Sequence, residues 1–328
     1  MPSVVYEQIK ASRPLPSPTG IALQILELAR RKDSTIEQIT RVVESDPATA
    51  SRLLKLINSP LAGMPRQIAS VQRAVALLGV RTTTSLALGF SLVADHRHGQ
   101  CVAFDYEMFW SDAVGRAAAA RHIADRVKNF APDEAFTCGL LSQIGCLAFA
   151  TAFPEKYAAM LQAADTDEPQ KLATIERTTF NIDRYELTAE MMGDWHIPAI
   201  FREAARAQGL PDQANLEPGS RTLIFAKILH LSGVVARILT HPTIYRDMLS
   251  ALVFEANQLG ISPHIYHDVF DAISEEWRQV AGIFSVRTRR VPSLAEMYSL
   301  AQERQGALTQ QTDTGGLGPQ GAAHAARG

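Results

Sequence analysis

Signals that begin an α-helix, each followed by apolar residues at helical spacing, recur along most of this chain. Ser34-Thr35-Ile36-Glu37 has the pattern of a capping box, in which a hydroxyl and a carboxylate each pair with a free backbone N–H. Asp46-Pro47 places an N-cap acceptor before a proline at the first helical position. The helix after it carries a one-sided apolar stripe: Ala50, Leu53, Leu54 and Ile57. We find no sustained two-residue alternation and no Asn-Gly hairpin, so the sequence predicts an all-α fold.

Two further signals mark helix ends. A helix that begins at Ser70 is expected to end at Gly79, because glycine accepts the left-handed backbone that closes many helices. Ser293-x-x-Glu296 is expected to cap one more helix. The sequence after that helix is rich in Gly, Ala and Gln and has no apolar period, which predicts a disordered tail.

The segment 135–153 contains no formal charge and approaches the length of a membrane span. Polar residues interrupt it, among them Ser142 and Gln143, and no aromatic belt or basic cluster flanks it. A helix that is apolar on nearly every face is also typical of the centre of a large bundle. We therefore predict one buried central helix and no membrane span.

Charge and cysteine content limit the class of protein. The 328 residues include 32 basic and 34 acidic side chains, a formal net charge of −2, which creates no strong positive field for nonspecific nucleic-acid binding. The three cysteines form no CxxC pair, so we expect free thiols in a reducing compartment. The N-terminus has no secretory pattern, and we expect a cytoplasmic protein. No phosphate-loop, dinucleotide, hydrolase or zincin motif occurs, so no cofactor is expected.

Several ordered segments together resemble the HDOD domain family. The resemblance rests on LINSPLAGMPRQIASVQRAVALLG (residues 56–79), FWSDAVGRAAAARHIA (109–124), DEAFTCGLLSQIGCLAF (133–149) and the WHIP turn at 195–198. It implies an HD-like helical bundle with an N-terminal helical lobe. The domain limits that it implies are a short extension at 1–14, the HDOD domain at 15–284 (lobe about 15–95, degenerate core and C-terminal helices about 104–284), a linker helix at 285–303 and a disordered tail at 304–328.

HDOD domains are relatives of HD-domain metal phosphohydrolases, whose His and Asp side chains hold catalytic cations. At the positions that the resemblance matches, this chain has hydroxyl and amide residues: Ser111, Ser142, Gln143 and Gln208. Such neutral groups are weak ligands for divalent cations. The resemblance therefore implies a degenerate cleft without metal, and a non-enzymatic adaptor. Its expected partners are signalling proteins of the receiver, diguanylate cyclase or phosphodiesterase type, with a nucleotide second messenger as a further ligand class. The alternative is that these side chains only satisfy one another inside the bundle.

Within the adaptor interpretation, the candidate interaction loop lies between two predicted helices. Its candidate contact residues are Asn58, Ser59, Leu61, Met64 and Arg66. The alternative is that Asn58 and Ser59 only bond to nearby backbone at helix ends, as these residue types readily do.

Two other classes of function remain open from the sequence. A residual metal-dependent phosphohydrolase would need other ligands, and His264 with His267 is the one helically spaced pair, near Asp268 and Asp271. A helix-turn-helix DNA-binding module would use the helix after Asp46-Pro47, whose polar residues are Thr49, Ser51, Arg52 and Lys55. That helix also carries a strong apolar stripe, which favours packing over groove reading.

Overall fold

In the computed structural model, the described residues are 3–31, 35–60, 64–127, 129–164, 166–241 and 246–300. Within these ranges the chain is helical and contains no β-strand, which confirms the predicted all-α class. The principal helices are α1 Val4–Ser12, α2 Gly20–Arg30, α3 Ile36–Glu44, α4 Pro47–Ile57, α5 Val71–Asp95, α6 Tyr106–Arg126, α7 Pro132–Leu141, α8 Ile144–Ala152, α9 Pro154–Ala163, α10 Pro169–Phe180, α11 Arg184–Asp194, α12 Ala199–Ala207, α13 Arg221–Thr240, α14 Arg246–Gln258 and α15 Pro263–Phe284.

An N-terminal lobe forms where α2, α3 and α4 each pack against α5. The Asp46 carboxylate accepts from the backbone N–H groups of Ala48 and Thr49, as the Asp46-Pro47 signal predicts. The capping box of α3 lies one residue later than predicted: Thr35 and Gln38 form it, whereas Ser34 lies outside the described residues. Two helical segments meet in α5 at a kink, where Gly79 has a φ of 78° and a ψ of 164°.

The core of the second part of the molecule is built on α6, which packs against α7, α13 and α15. Its middle is a run of buried alanines, Ala117–Ala120, whose short side chains let neighbouring helices come close. Gly139 of α7 lies against the α6 backbone, and a Cβ at this position would be 2.6 Å from the carbonyl oxygen of Arg116. Close packing of α7 on α6 therefore depends on a residue without a side chain.

The predicted single central helix is two helices. A turn at Ser142 and Gln143 separates α7 from α8. Ser142 keeps helical dihedral angles, whereas Gln143 has a φ of −121° and a ψ of 16°. At the start of α8, the backbone N–H of Gly145 donates to the Thr188 hydroxyl of α11 at 2.9 Å. The prediction of one continuous helix was wrong because the apolar pattern persists through the break, while tertiary contacts hold the turn.

Three helical stretches have the length and apolar composition to cross a membrane: Val71–Asp95, Pro132–Ala152 and Arg221–Thr240. Most of each apolar window is buried against other helices, and for Pro132–Ala152 the buried share reaches 94%. The folded chain thus covers most of their apolar surface itself, which is compatible with the predicted soluble bundle.

The N-terminal extension is helical and docked. In α1, the Tyr6 hydroxyl donates to an Asp194 carboxylate oxygen at 2.6 Å, and Lys10 forms an ion pair with the same residue at 2.6 Å. Tyr6 is 2% exposed, so α1 covers part of the helical core at the end of α11.

The segment that follows α15 crosses back over the core. Nε and Nη2 of Arg289 donate to the backbone oxygens of Leu239 and Ile238 at the end of α13, at 2.7 and 2.9 Å. Helix resumes only at residues 294–300, where Leu294 and Met297 are fully buried. The predicted linker helix at 285–303 is therefore helical only in its second part among the described residues, and the predicted tail at 304–328 lies outside them.

Candidate functional site

A cleft of about 550 Å³ lies between α6, α11, α13 and α14. Three helices and two turns supply six of its polar side chains: Arg116, Gln143, Tyr185, Gln208, His230 and Arg237. Val234, Met248 and Ala251 supply apolar wall. This combination of a large concavity, apolar surface and a few polar groups is typical of a small-molecule site.

Gln143 and Gln208, two of the four predicted cleft residues, lie side by side in this cleft. Nε2 of Gln143 is 3.4 Å from Oε1 of Gln208, and Nε2 of Gln208 donates to the backbone oxygen of Ser142 at 2.8 Å. The Ser142 hydroxyl donates to the Gly139 carbonyl at 2.8 Å, so Ser142 contributes backbone to the site. The amides partly satisfy each other, as the alternative interpretation holds, and they also line the cavity.

The structure does not bring Ser111 to the cleft. Its hydroxyl donates to the backbone oxygen of Arg287 at 3.0 Å, and its own carbonyl accepts from Trp277 Nε1 at 2.9 Å. Ser111 therefore lies on the face of α6 that meets α15 and the chain after it. The sequence predicts Ser111 among the cleft residues, but the residue of α6 that reaches the cleft is Arg116.

Arg116 supplies a buried cation to the cleft. Arg116 is 7% exposed, and its Nε donates to the carboxylate of Asp112, one turn earlier in α6, at 2.5 Å. The guanidinium lies against α13 at Gly233, where a Cβ would be 2.6 Å from Nη1. Within the described part of the chain, Nη1 and Nη2 donate to no protein acceptor. A charged fork with two open nitrogens thus faces the cavity.

A stripe along α13 forms one side of the cleft. His230, Gly233, Arg237 and His241 follow one another three or four positions apart, so they share a helix face. Nδ1 of His230 is 2.8 Å from the backbone oxygen of Gln208. At the rim, Asp167 contacts both Arg237 Nη2 at 3.6 Å and His241 Nε2 at 3.1 Å, and its side chain is 68% exposed.

Two groups beside the cleft are held uncharged. Burial raises the pKa of the Tyr185 hydroxyl to about 12, so this hydroxyl stays protonated. Burial likewise raises the pKa of the Cys146 thiol to about 11, and Cys146 Sγ lies 3.6 Å from the Gln143 amide oxygen. Cys146 is therefore a weak nucleophile, since the thiolate is the reactive form.

The cleft does not fit a divalent cation. Carboxylates and neutral imidazoles are the usual ligands of such ions, and around Arg116, a permanent cation, Gln143 and Gln208 present amides. The imidazoles and carboxylates of the lining lie along α13 and at the rim: His230, His241, Asp167 and Glu168. Among the residues that the structure describes, no three His, Cys, Asp or Glu side chains group as a metal site. The His264 side chain, part of the predicted alternative ligand pair, lies outside the described set.

The candidate interaction loop is anchored by Asn58. Its Nδ2 donates to the carbonyls of Leu54 at 2.9 Å and Ile68 at 2.7 Å, and its Oδ1 accepts from the Ile68 N–H at 2.7 Å. Local capping is therefore the role observed for Asn58. Ser59 is buried, Met64 is 37% exposed, Arg66 is exposed, and Leu61 lies outside the described residues.

Reasoning from the sequence missed the charged and aromatic members of the cleft. Arg116 had a signal, because an arginine between Gly115 and a run of alanines interrupts the apolar stretch 113–120. Tyr185 and Arg237 had none, since their surroundings in the sequence resemble ordinary helix faces. They come together only because α11 and α13 both pack against α12.

Comparison with solved structures places the fold among HD-like proteins. A protein from Shewanella amazonensis SB2B, provisionally named a phosphohydrolase, matches 86% of this chain and 98% of its own with 21% identity and a TM-score of 0.63. The MmoQ response regulator from Methylococcus capsulatus is 34% identical, with 76% of this chain and 95% of its own covered and a TM-score of 0.48.

Sequence comparison gives the family. An uncharacterized protein of Treponema pallidum (strain Nichols) is 26% identical over 179 residues, which are 54% of this chain and 34% of that protein. The match thus spans about a third of the length of that curated relative. The HDOD domain model matches residues 15–211, more than half of the chain. The protein therefore belongs to the HDOD domain family.

Proposed function

We propose that this protein is a regulatory module of bacterial signal transduction that acts by binding and not by catalysis. Membership of the HDOD family supports the signalling part of the proposal. The observation that carries the non-enzymatic part is the buried guanidinium of Arg116, which lies in the cleft beside Gln143 and Gln208.

Electrostatics explains why this arrangement disfavours metal catalysis. A divalent cation in the cleft would meet the like charge of Arg116 at low local dielectric, and the neighbouring carboxylate of Asp112 already pairs with that arginine. The neutral amide oxygens of Gln143 and Gln208 offset neither the charge of the metal ion nor that of Arg116. Without a cation to polarise a phosphoryl group and activate water, the chain lacks the chief requirement of phosphoester hydrolysis by metal enzymes.

We propose that the partner is a signalling protein with a receiver, diguanylate cyclase or phosphodiesterase domain, and that the two proteins bind each other in the cytoplasm. The proposed contact surface is the candidate interaction loop, with Met64 and Arg66 as its exposed members. The double hydrogen bond between Asn58 and Ile68 supports this choice, because it ties the two ends of the loop together. A loop whose ends are tied together loses less conformational entropy on binding than one whose ends are free.

The DNA-binding alternative has less support. Thr49 is buried and donates its hydroxyl to Asp46 at 2.7 Å, and the Arg52 guanidinium lies over the Phe90 ring at 5.9 Å from its centroid. Both side chains are engaged within the lobe. Reading of base edges would require them to leave these contacts.

Turnover assays test the non-enzymatic proposal. Purified protein is incubated with Mn²⁺, Fe²⁺ or Mg²⁺ and with nucleotides or cyclic dinucleotides, and hydrolysis products are measured. We expect rates equal to those of the metal alone. Metal-dependent turnover by the protein would overturn the proposal in favour of a residual phosphohydrolase.

Capture experiments test the partner proposal. Wild-type protein, Met64→Ala, Arg66→Ala and the control Met108→Ala are used as bait in host extract, with Met108 being 43% exposed and elsewhere on the surface. We expect wild type and Met108→Ala to retain a protein with one of the named signalling domains, and the loop variants to lose it. Equal retention by all four proteins would exclude the loop as the contact surface.

A further inference from the structure

We propose that the cleft around Arg116 binds a small phosphorylated molecule of about mononucleotide size. This inference rests on the proposed function, since it names the ligand class of a cleft that has no place for a catalytic cation. Three features of the cleft carry it: an open guanidinium, a second arginine at the rim, and an apolar wall beside amide groups.

The first feature is the way in which the fold fixes Arg116. The bond from Nε to Asp112 holds the guanidinium plane, and Gly233 leaves the room in which Nη1 and Nη2 lie. A planar fork with its outer nitrogens open matches two oxygens of a phosphate in a bidentate pair. Such a preorganised donor pair loses little entropy when the anion arrives.

The second feature is the cation at the rim. Arg237 lies one turn after Gly233 on the same face of α13, so both arginines face one cavity. Its contact with Asp167 is long, at 3.6 Å, and Asp167 is 68% exposed. A water-screened contact of this kind is weak, and a phosphate in the cleft would compete for Arg237 at low cost.

The charged groups around these arginines are few on the interior side. Asp112 pairs with Arg116, and Glu255 lies 3.6 Å from His230 Nε2, while Asp167 and Glu168 stand at the rim. Each arginine therefore has a carboxylate beside it, Asp112 for Arg116 and Asp167 for Arg237. The open Nη1 and Nη2 of Arg116 remain the inner anchor for an anionic group, and Arg237 is the outer one.

The third feature is the remainder of the cavity. A volume of about 550 Å³ is in the range of sites for small organic ligands and exceeds the need of a lone anion. Val234, Met248 and Ala251 offer apolar surface to a ring. Both N–H groups of the Gln208 amide are engaged, since its Nε2 donates to the backbone oxygens of Ser142 and Ala205. Gln143 keeps one amide N–H beyond its contact with Gln208, and an amide of this kind suits the edge of a nucleobase.

Binding measurements on metal-free protein test the inference. Isothermal titration in buffer with chelator uses 5′-GMP, 5′-AMP, cyclic di-GMP and inorganic phosphate, with guanosine as the uncharged counterpart. We expect saturable binding of at least one organic phosphate. Guanosine should bind at least about tenfold more weakly than 5′-GMP, because loss of a charge-assisted hydrogen-bond pair has about that effect. Absence of binding by every phosphorylated probe overturns the inference.

Matched arginine variants locate the site. We expect Arg116→Gln and Arg237→Gln each to weaken binding about tenfold or more, and Arg221→Gln, on α13 but away from the cleft, to leave it unchanged. Thermal unfolding of each variant checks its fold. If Arg116→Gln does not fold, the affinity of Arg237→Gln alone tests the location of the site. Undiminished affinity in Arg237→Gln would overturn the inference.

The two proposals fail separately. Metal-dependent hydrolysis of a probe would overturn the non-enzymatic function, whatever the affinity of the metal-free protein. Absence of binding together with absence of turnover would overturn the ligand inference alone.

Discussion

Two helical glycines are predicted to respond in opposite ways to an added methyl group. At Gly139 a Cβ would meet the rigid backbone of α6, 2.6 Å from the Arg116 carbonyl oxygen, whereas at Gly282 in α15 it would meet nothing within 4 Å. We expect Gly139→Ala to lower the free energy of unfolding by about 1–3 kcal/mol, through overpacking. Gly282→Ala should raise it by up to about 1 kcal/mol, because alanine loses less entropy in a helix. Urea denaturation measures both, and equal effects would contradict the close packing of α7 on α6.

At the scale of residues, the sequence was a good guide where chemistry acts locally. Asp46-Pro47 caps α4 through contacts with its own neighbours in the sequence. Gly79 forms the kink in α5 because glycine adopts a positive φ without strain. Arg116 is different, because its role depends on Asp112 within its helix and on Gly233 of another helix. No local pattern contains the second of these partners.

At the scale of elements, the cap of α4 makes stability depend on pH. The hydrogen bond from the Thr49 hydroxyl, with backbone bonds from Thr49 and Ala48, lowers the pKa of Asp46 below its usual value near 3.8. A carboxylate with a lowered folded-state pKa stabilises the fold above the unfolded pKa, and this contribution is lost as pH falls through the folded pKa. We expect Asp46→Ala to cost about 1 kcal/mol at neutral pH.

The difference between wild type and Asp46→Ala should shrink as the pH falls below about 4, where wild type loses its carboxylate. Asp46→Asn is the control, because asparagine keeps a capping oxygen that does not titrate in this range. Unfolding curves at several pH values measure the difference. A loss of stability in Asp46→Ala that stays constant down to pH 2 would contradict this role of the carboxylate.

The end of α13, which lines the cleft, depends on the segment after α15. Arg289 donates to the last carbonyls of that helix, whereas the neighbouring Arg287 side chain is 87% exposed. We expect Arg289→Ala to lower the free energy of unfolding by about 1–3 kcal/mol, since two buried acceptors lose a charged donor. Arg287→Ala should change it by less than about 0.5 kcal/mol. Equal effects in chemical denaturation would show that Arg289 does not cap α13.

The break between α7 and α8 shows what pattern analysis of an element leaves out. Apolar residues fill both sides of Ser142–Gln143, so the sequence favours one continuous helix. The contact of Gly145 with Thr188 of α11 holds the turn, and the turn carries Gln143 into the cleft. Long-range packing overrides local preference at the place where the candidate site is built.

At the scale of the whole molecule, the class of fold followed from helix signals, and the family followed from the order of many segments. The arrangement of the cleft did not follow, since α6, α11 and the consecutive helices α13 and α14 are far apart in the sequence. The predicted amides Gln143 and Gln208 do lie together, 3.4 Å apart, and Ser111 lies elsewhere. A resemblance can transfer positions along the chain, but only packing decides which of them share a cavity.

Metal content tests most directly the claim that an arginine and amides occupy the place where a catalytic cation would bind. Purified protein is dialysed against Mn²⁺ or Fe²⁺, passed through a desalting column and analysed by inductively coupled plasma mass spectrometry. We expect retained metal far below one ion per chain, because Arg116 repels a cation that Gln143 and Gln208 cannot hold. One or more ions retained per chain, and lost on substitution of Gln143 by alanine, would contradict the account.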